Sequence, residues 1–148
     1  MLGGQDGEGV ALAMRVVVGQ ARVVDAPRLV EVTSAHVDSC LYHGQVSLDF
    51  AYRLASLGAR VRVPATLNVG SMDLLHPGLV RDRELAQAGR ELMAAYVALG
   101  CTPTFTCAPY QLPDRPGLGE HVAWAESNAI VFANSVLGAR TDLSLIHI

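Results

Sequence analysis

The sequence predicts an α/β domain with a largely parallel β-sheet and flanking helices. Three times along the chain, a short β-rich run is followed by a polar loop and then by a helical run. This order is typical of parallel strands joined by crossover helices. Two of the helical runs stop at a glycine, Gly58 and Gly100, which is a common signal for the end of a helix.

Apolar residues at helical spacing define four candidate helices. In the second one, Val46, Phe50 and Leu54 recur on one face. The fourth is a long apolar run interrupted by polar residues, and we interpret it as a buried helix. The predicted helices cover residues 10–18, 45–57, 84–99 and 120–137.

The predicted strands cover residues 28–33, 59–63 and 102–107. The loops that follow them, at 33–41, 66–73 and 106–113, are rich in hydroxyl, amide and imidazole groups. Ligands of parallel sheets collect at the carboxyl ends of the strands. These three loops are therefore the first place to look for a functional site.

Composition excludes several classes of protein. The 148 residues suit one domain, and 51% apolar residues with a mean hydropathy of +0.30 allow a core. The eleven basic residues are scattered arginines, so we expect no nucleic-acid partner. No apolar run is long enough to cross a bilayer and no signal peptide is evident, so neither a membrane nor export is expected. Three cysteines without CxxC spacing argue against a disulfide framework and favour a cytoplasmic location.

Cys107 lies on a loop that Pro103, Pro109 and Pro113 stiffen, between two apolar runs. A thiolate held there would point at something fixed, although free cysteines more often simply pack in the core. His36 follows a predicted strand and is a candidate general acid or base, or a hydrogen-bond donor behind such a group. The alternative for His36 is a hydrogen-bonded loop histidine.

Polar groups at three further places are candidates for ligand contacts. Asn68 can donate and accept, which suits a carboxylate or hydroxyl, but asparagine also shapes turns. Buried polar residues inside the fourth predicted helix either face a ligand or tether neighbouring loops. A free helix amino end after the first strand could cradle an anion. The residues concerned are Asn68; Glu126, Ser127 and Asn128; and Ser39, Cys40 and Leu41.

Four stretches together resemble the aconitase X family, the dehydratase relatives of aconitase. They are VTSAHV at 32–37, VPATLNVGSMDL at 63–74, TFTCAPYQ at 104–111 and GEHVAWAESNAIVFANSVLGART at 119–141. The resemblance implies an aconitase-like α/β fold, an iron or iron–sulfur centre held by three cysteines, and loss of water from a small hydroxy acid. The implied substrate is cis-3-hydroxy-L-proline, with mevalonate 5-phosphate as the alternative. A non-catalytic α/β module that binds small anions is the alternative outside enzymes.

The resemblance also implies roles for individual residues. Cys107 falls on the family's first iron ligand. Substrate contacts fall on Ser39, Cys40, Leu41, Asn68, Val69, Ser127 and Asn128, and we take His36 and Glu126 as the candidates for proton transfer. The family's other two cysteine ligands and its small swivelling domain have no counterpart in these 148 residues. We therefore expect residues 1–141 to be the amino-terminal part of a catalytic domain, residues 142–148 to be a non-native tail, and the chain alone to be inactive.

Overall fold

The computed structural model describes residues 5–37, 42, 44–68, 76–106, 109–117 and 119–125. Within them, three α-helices and four short strands follow one another, with two 3₁₀ turns at Pro77–Leu79 and Pro109–Gln111. The helices are α1 (Gln5–Val23), α2 (Gln45–Ser56) and α3 (Arg83–Ala98). The strands are β1 (Ser34–Val37), β2 (Ala65–Leu67), β3 (Thr102–Pro103) and β4 (Val122–Ala125).

The four strands form one parallel sheet in the order β3-β2-β1-β4. The register aligns His36 with Thr66 on one side and with Trp124 on the other. The chain therefore builds outward from β1 to β3 and then returns to add β4 on the opposite side of β1. The α/β prediction with a parallel sheet and flanking helices is confirmed.

α3 packs on one face of the sheet, and α2 packs against α3. Side chains alternate between the two faces of a strand, and Ala65 and Leu67 form a buried cluster with Cys101, against which Met93 and Tyr96 pack. A second cluster joins α2 to α3 through four buried side chains. They are Leu48, Ala51, Leu92 and Ala95.

The sequence places the ends of α2 and α3 almost correctly, but the predicted apolar face of α2 is wrong. Val46 and Phe50 are exposed, whereas Leu48 and Ala51 are buried. At the start of α3 the Asp82 carboxylate accepts a hydrogen bond from the Leu85 N–H at 2.8 Å, which satisfies one of the free donors of the first turn. Gly58 and Gly100 follow the ends of α2 and α3 and adopt positive φ values of 75° and 108°. None of the helices in the described part of the chain is long and apolar enough to span a membrane.

The predicted strand boundaries are wrong for the first two strands. The predicted run 28–33 lies before β1, and its Leu29 and Val30 are exposed. Val61, in the second predicted run, donates instead to the Leu99 carbonyl at the end of α3, at 2.7 Å. Strand pairing starts only after Pro64, whose carbonyl accepts from the Ala35 N–H. Position against neighbouring strands, rather than local β-propensity, decides where these strands lie.

Two further predictions are corrected. The predicted helix 120–137 is wrong at its beginning, because Val122–Ala125 is strand β4 and pairs with β1 along its whole length. The predicted strand 102–107 ends at Pro103, and Phe105 has a φ of 53°, which interrupts an extended backbone. In a short apolar run, periodicity alone cannot tell a buried strand from a buried helix. Residues 126–137 lie outside the described part.

Candidate functional site at the carboxyl edge of the sheet

The carboxyl ends of β1 and β4 lie side by side in the sheet. Val37 and Ala125 are register partners and are the last residues of their strands. The strand order reverses between β1 and β4, and in open parallel sheets the crevice at such a reversal is the usual place for a ligand. Two groups of predicted residues come soon after these two strand ends in the sequence. Ser39, Cys40 and Leu41 follow β1, and Glu126, Ser127 and Asn128 follow β4, all outside the described residues.

Asn68 lies at the same edge, directly after β2. Its backbone N–H donates to the Val37 carbonyl at 2.9 Å, so the residue is tied to the end of β1. Next to it, the Thr104 N–H donates to the Leu67 carbonyl at 2.8 Å. Asn68 is half-buried. The structure thus places Asn68 at the carboxyl edge of the sheet, next to the end of β1, while its neighbour Val69 lies outside the described residues.

Cys107, the predicted iron ligand, also lies outside the described residues, four positions after the end of β3. Phe105 precedes it with a φ of 53° and an exposed fraction of 53%. A left-handed backbone at an aromatic residue costs on the order of 1–2 kcal/mol, and such outliers concentrate at functional sites. Sequence reasoning did not identify Phe105, because nothing in its residue type suggests this conformation.

His36 lies within β1, not after a strand as predicted from the sequence, and is 2% exposed. Its Nδ1 is 2.6 Å from the Thr66 Oγ1, and its ring makes an edge contact with Trp124 at 5.4 Å between centroids. Burial lowers the pKa of His36 from 6.5 to about 4. The imidazole is therefore neutral at pH 7, and the Thr66 hydroxyl fixes its orientation.

The side chains of His36, Thr66 and Trp124 face away from α2 and α3, toward a cavity of about 340 Å³. The segment containing Pro109, Leu112 and other residues up to Pro116 forms the opposite wall. Three buried polar atoms have no hydrogen-bond partner among the described residues, namely Ser34 Oγ, His36 Nε2 and Trp124 Nε1. Buried polar groups normally have partners. The sequence alone does not indicate Ser34, Thr66 or Trp124 as residues of a site.

An iron centre needs several thiolate, imidazole or carboxylate ligands close together. Among the described residues, no three His, Cys, Asp or Glu side chains come close enough together to hold a metal ion. Cys101 is the one cysteine of this part; it is buried beneath the helices, and burial raises the pKa of its thiol. The described residues alone therefore do not supply the ligands of an iron centre.

Comparison with known proteins gives one family throughout. The chain is 48% identical to the cis-3-hydroxy-L-proline dehydratase of Pseudomonas aeruginosa. The aligned residues cover 96% of this chain and 25% of that relative. The chain is 40% identical to the phosphomevalonate dehydratase large subunit of Aeropyrum pernix over 96% of its length, which is 38% of that subunit. The crystal structure of holo-form aconitase X from Thermococcus kodakaraensis superimposes with a TM-score of 0.74 and 29% identity, covering 95% of this chain and 34% of that one.

The chain thus spans about a quarter to two fifths of the length of these relatives. Its family match is to the description "Aconitase X first domain" and extends over residues 1–144. The family match, the sequence identities and the overall superposition agree on this assignment. The chain belongs to the aconitase X family and carries the first domain of that family.

Proposed function

We propose that this chain is the first-domain part of a hydro-lyase that removes water from a small hydroxy acid, cis-3-hydroxy-L-proline being the first candidate. One observation carries the proposal beyond sequence similarity. Asn68 and the two segments that contain the other predicted substrate contacts leave β2, β1 and β4 at one edge of the sheet. Three separate stretches of sequence therefore start at one edge of the sheet, which supports a shared site there.

In this proposal the crevice holds the substrate. The segment after β1 contributes Ser39, Cys40 and Leu41, the segment after β2 contributes Asn68 and Val69, and the segment after β4 contributes Ser127 and Asn128. Asn68 is the one member with a described position. Its side-chain amide offers both a donor and an acceptor for a carboxylate or hydroxyl.

Dehydration requires a base that takes the proton next to the carboxylate while the hydroxyl leaves with the bonding electrons. Glu126 is the candidate base because it directly follows β4 at the crevice. With its pKa at about 4, His36 is a weak base and is unprotonated at neutral pH. Of the roles left open by the sequence, we therefore assign His36 the positioning role, through hydrogen bonds of its neutral ring. If the whole enzyme holds an iron centre, Cys107 would be one of its ligands. The remaining ligands would come from outside this chain.

A second candidate substrate is mevalonate 5-phosphate. This candidate is supported by similarity to phosphomevalonate dehydratase large subunits. The Aeropyrum pernix protein, for example, is 40% identical to this chain. The two substrates differ in charge, because the phosphate of mevalonate 5-phosphate needs strong donors or cations. A hydroxyproline needs instead a site for a carboxylate beside an ammonium group.

A hybrid enzyme tests the proposal. Residues 1–144 of this chain replace the matched region of the Pseudomonas aeruginosa dehydratase, and water loss is measured with both substrates. We expect turnover of cis-3-hydroxy-L-proline and none of mevalonate 5-phosphate. Turnover of mevalonate 5-phosphate alone would favour the second candidate. A folded hybrid that dehydrates neither compound would contradict the proposal, provided that the parent enzyme is active in the same assay.

A further inference from the structure

We infer that the cavity on the second face of the sheet binds a small uncharged molecule that carries a carbonyl or hydroxyl oxygen. This face lies opposite the one that α3 covers, and the segment 109–116 forms the outer wall of the cavity. The inference depends neither on the proposed reaction nor on its substrate. It assigns a ligand class to buried polar atoms that have no hydrogen-bond partner among the described residues.

The cavity has described residues on both sides. Its floor contains one side chain from each strand, and the strand register places these four in a row across the sheet: Trp124, His36, Thr66 and Thr102. Its outer wall consists mainly of proline and leucine side chains of the segment 109–116, and proline restricts the backbone there. The volume of about 340 Å³ falls within the range of about 300–1,000 Å³ that is usual for small-molecule sites.

The cavity extends along the strands away from the predicted substrate contacts. Ser34 and Val122 line it and are the first residues of β1 and β4. The predicted contacts instead follow the last residues of these strands, Val37 and Ala125, about 10 Å further along. The cavity therefore offers ligand contacts at the amino half of the sheet, in addition to those proposed at the carboxyl edge.

Three residues of the cavity lining each carry a buried polar atom without a partner in the described part of the chain: Ser34 Oγ, His36 Nε2 and Trp124 Nε1. His36 and Trp124 are each 2% exposed, so bulk water does not replace the missing partners. The indole N–H can only donate, and the Nδ1 of His36 already contacts the Thr66 hydroxyl at 2.6 Å. Buried polar groups without a partner are rare because they lose their hydration without compensation. A ligand oxygen that accepts from Trp124 Nε1 would supply that compensation.

The charges around the cavity argue against an ionic ligand. Among the described residues that line it there is no lysine or arginine, and Asp114 carries a negative charge. His36 is neutral at pH 7, because burial lowers its pKa to about 4. A carboxylate or phosphate would therefore lose its hydration without gaining a countercharge, which is costly. A cation offers no acceptor to the indole N–H, so an uncharged carbonyl or hydroxyl compound fits best.

Trp124 is the single tryptophan of the chain, so its indole N–H gives one signal in a ¹⁵N-correlated NMR spectrum. The full chain is titrated with acetamide and with acetate, which have nearly the same shape and differ in charge. We expect a saturable shift of the indole signal with acetamide and none with acetate at the same ionic strength. A saturable shift with neither compound, or an equal or larger one with acetate, would overturn the inference.

Two serine variants locate the binding. Ser34→Ala removes a hydroxyl from the cavity lining, whereas Ser56→Ala removes one at the end of α2, where it donates to the Arg53 carbonyl. We expect acetamide to bind roughly 2- to 12-fold more weakly to Ser34→Ala, the loss typical of one hydrogen bond, and with unchanged affinity to Ser56→Ala. Equal affinity in the wild-type chain and both variants would contradict the inference. If Ser34→Ala did not fold, NOEs between the acetamide methyl group and the Trp124 ring in the wild-type chain would decide, and their absence would count against binding in the cavity.

Discussion

His36 shows at the scale of single residues how the sheet changes the chemistry of a side chain. The sequence presents an imidazole that could titrate near neutral pH. In the structure it lies in β1, bonded to Thr66 on β2 and in contact with Trp124 on β4. Water is excluded from the ring, so the charged form is disfavoured and the pKa falls to about 4.

This lowered pKa predicts a pH dependence of the free energy of unfolding. The unfolded chain protonates His36 near pH 6.5, whereas the folded chain does so only near pH 4. Stability from this group is therefore fully present above pH 6.5 and is lost as the pH falls from 6.5 toward 4. The total loss is on the order of 3 kcal/mol.

Urea unfolding of the full chain between pH 4 and pH 8 checks this expectation. Other groups titrate in the same range, so the difference between the wild-type chain and His36→Gln is the informative quantity. We expect a shallower decline of stability at low pH in the variant. Parallel curves for the two proteins would show that His36 is accessible to water and protonates normally.

The sequence singles out His36 as a candidate, but it does not reveal the residues that His36 contacts. Thr66 is 30 residues away and belongs to a different strand, so only the strand register brings the two side chains together. Asn68 was identified correctly as a residue at a strand end, since it directly follows β2. Phe105 gave no signal, because its positive φ arises from the path of the chain after β3.

At the scale of elements, helices were more predictable than strands. α2 and α3 end within about one residue of the predicted boundaries because a following glycine marks each end locally. The predicted apolar face of α2 is wrong, since Val46 and Phe50 are exposed. β2 has three residues and β3 has two. Strands this short cannot show a recognisable alternation of apolar and polar residues. β4 was assigned to a helix because Val122–Ala125 has no polar residue to reveal its alternation.

Two glycines of α1 provide a test of how that helix packs. A Cβ added at Gly9 would lie 2.8 Å from the Ala59 Cβ and 2.9 Å from the Leu57 carbonyl oxygen, whereas one added at Gly19 would meet nothing within 4 Å. We expect Gly9→Ala to destabilise the chain by about 1–3 kcal/mol through overpacking. Gly19→Ala should stabilise it by about 0.5–1 kcal/mol, because alanine favours a helix.

Thermal or chemical unfolding of both variants gives the sign of each effect. The two substitutions add the same methyl group to the same helix, so they control for each other. Equal effects of the two variants would mean that α1 does not pack closely against the loop after α2.

At the scale of the whole molecule, the chain matches the first domain of aconitase X over residues 1–144, and it spans only about a quarter to two fifths of its relatives. Its sheet order places a strand reversal between β1 and β4, and the predicted substrate segments begin there or at the neighbouring end of β2. The first-domain assignment and the α/β fold agree with the sequence. The described residues contain no group of side chains that could hold iron. Cys107, the one predicted iron ligand of this chain, lies outside them.

We expect the 148-residue chain to bind no stoichiometric iron–sulfur cluster by itself. Such clusters use several thiolate ligands, and Cys107 is the one cysteine that the family resemblance assigns to this task. Anaerobic reconstitution followed by visible absorption and iron analysis checks the expectation. A stoichiometric chromophore that disappears in Cys107→Ala but persists in Cys101→Ala would contradict it.

The central claim is that the substrate lies at the carboxyl edge of β1, β2 and β4. Its most direct test is kcat/KM for cis-3-hydroxy-L-proline in the hybrid enzyme carrying Asn68→Ala. Loss of a hydrogen bond to a buried partner costs about 1–3 kcal/mol, so we predict a decrease of roughly 5- to 150-fold. Thr33→Ala is the control, because its hydroxyl donates to the His121 carbonyl at the amino edge, and it should leave kcat/KM unchanged. An unchanged kcat/KM in Asn68→Ala, or an equal decrease in both variants, would contradict the claim.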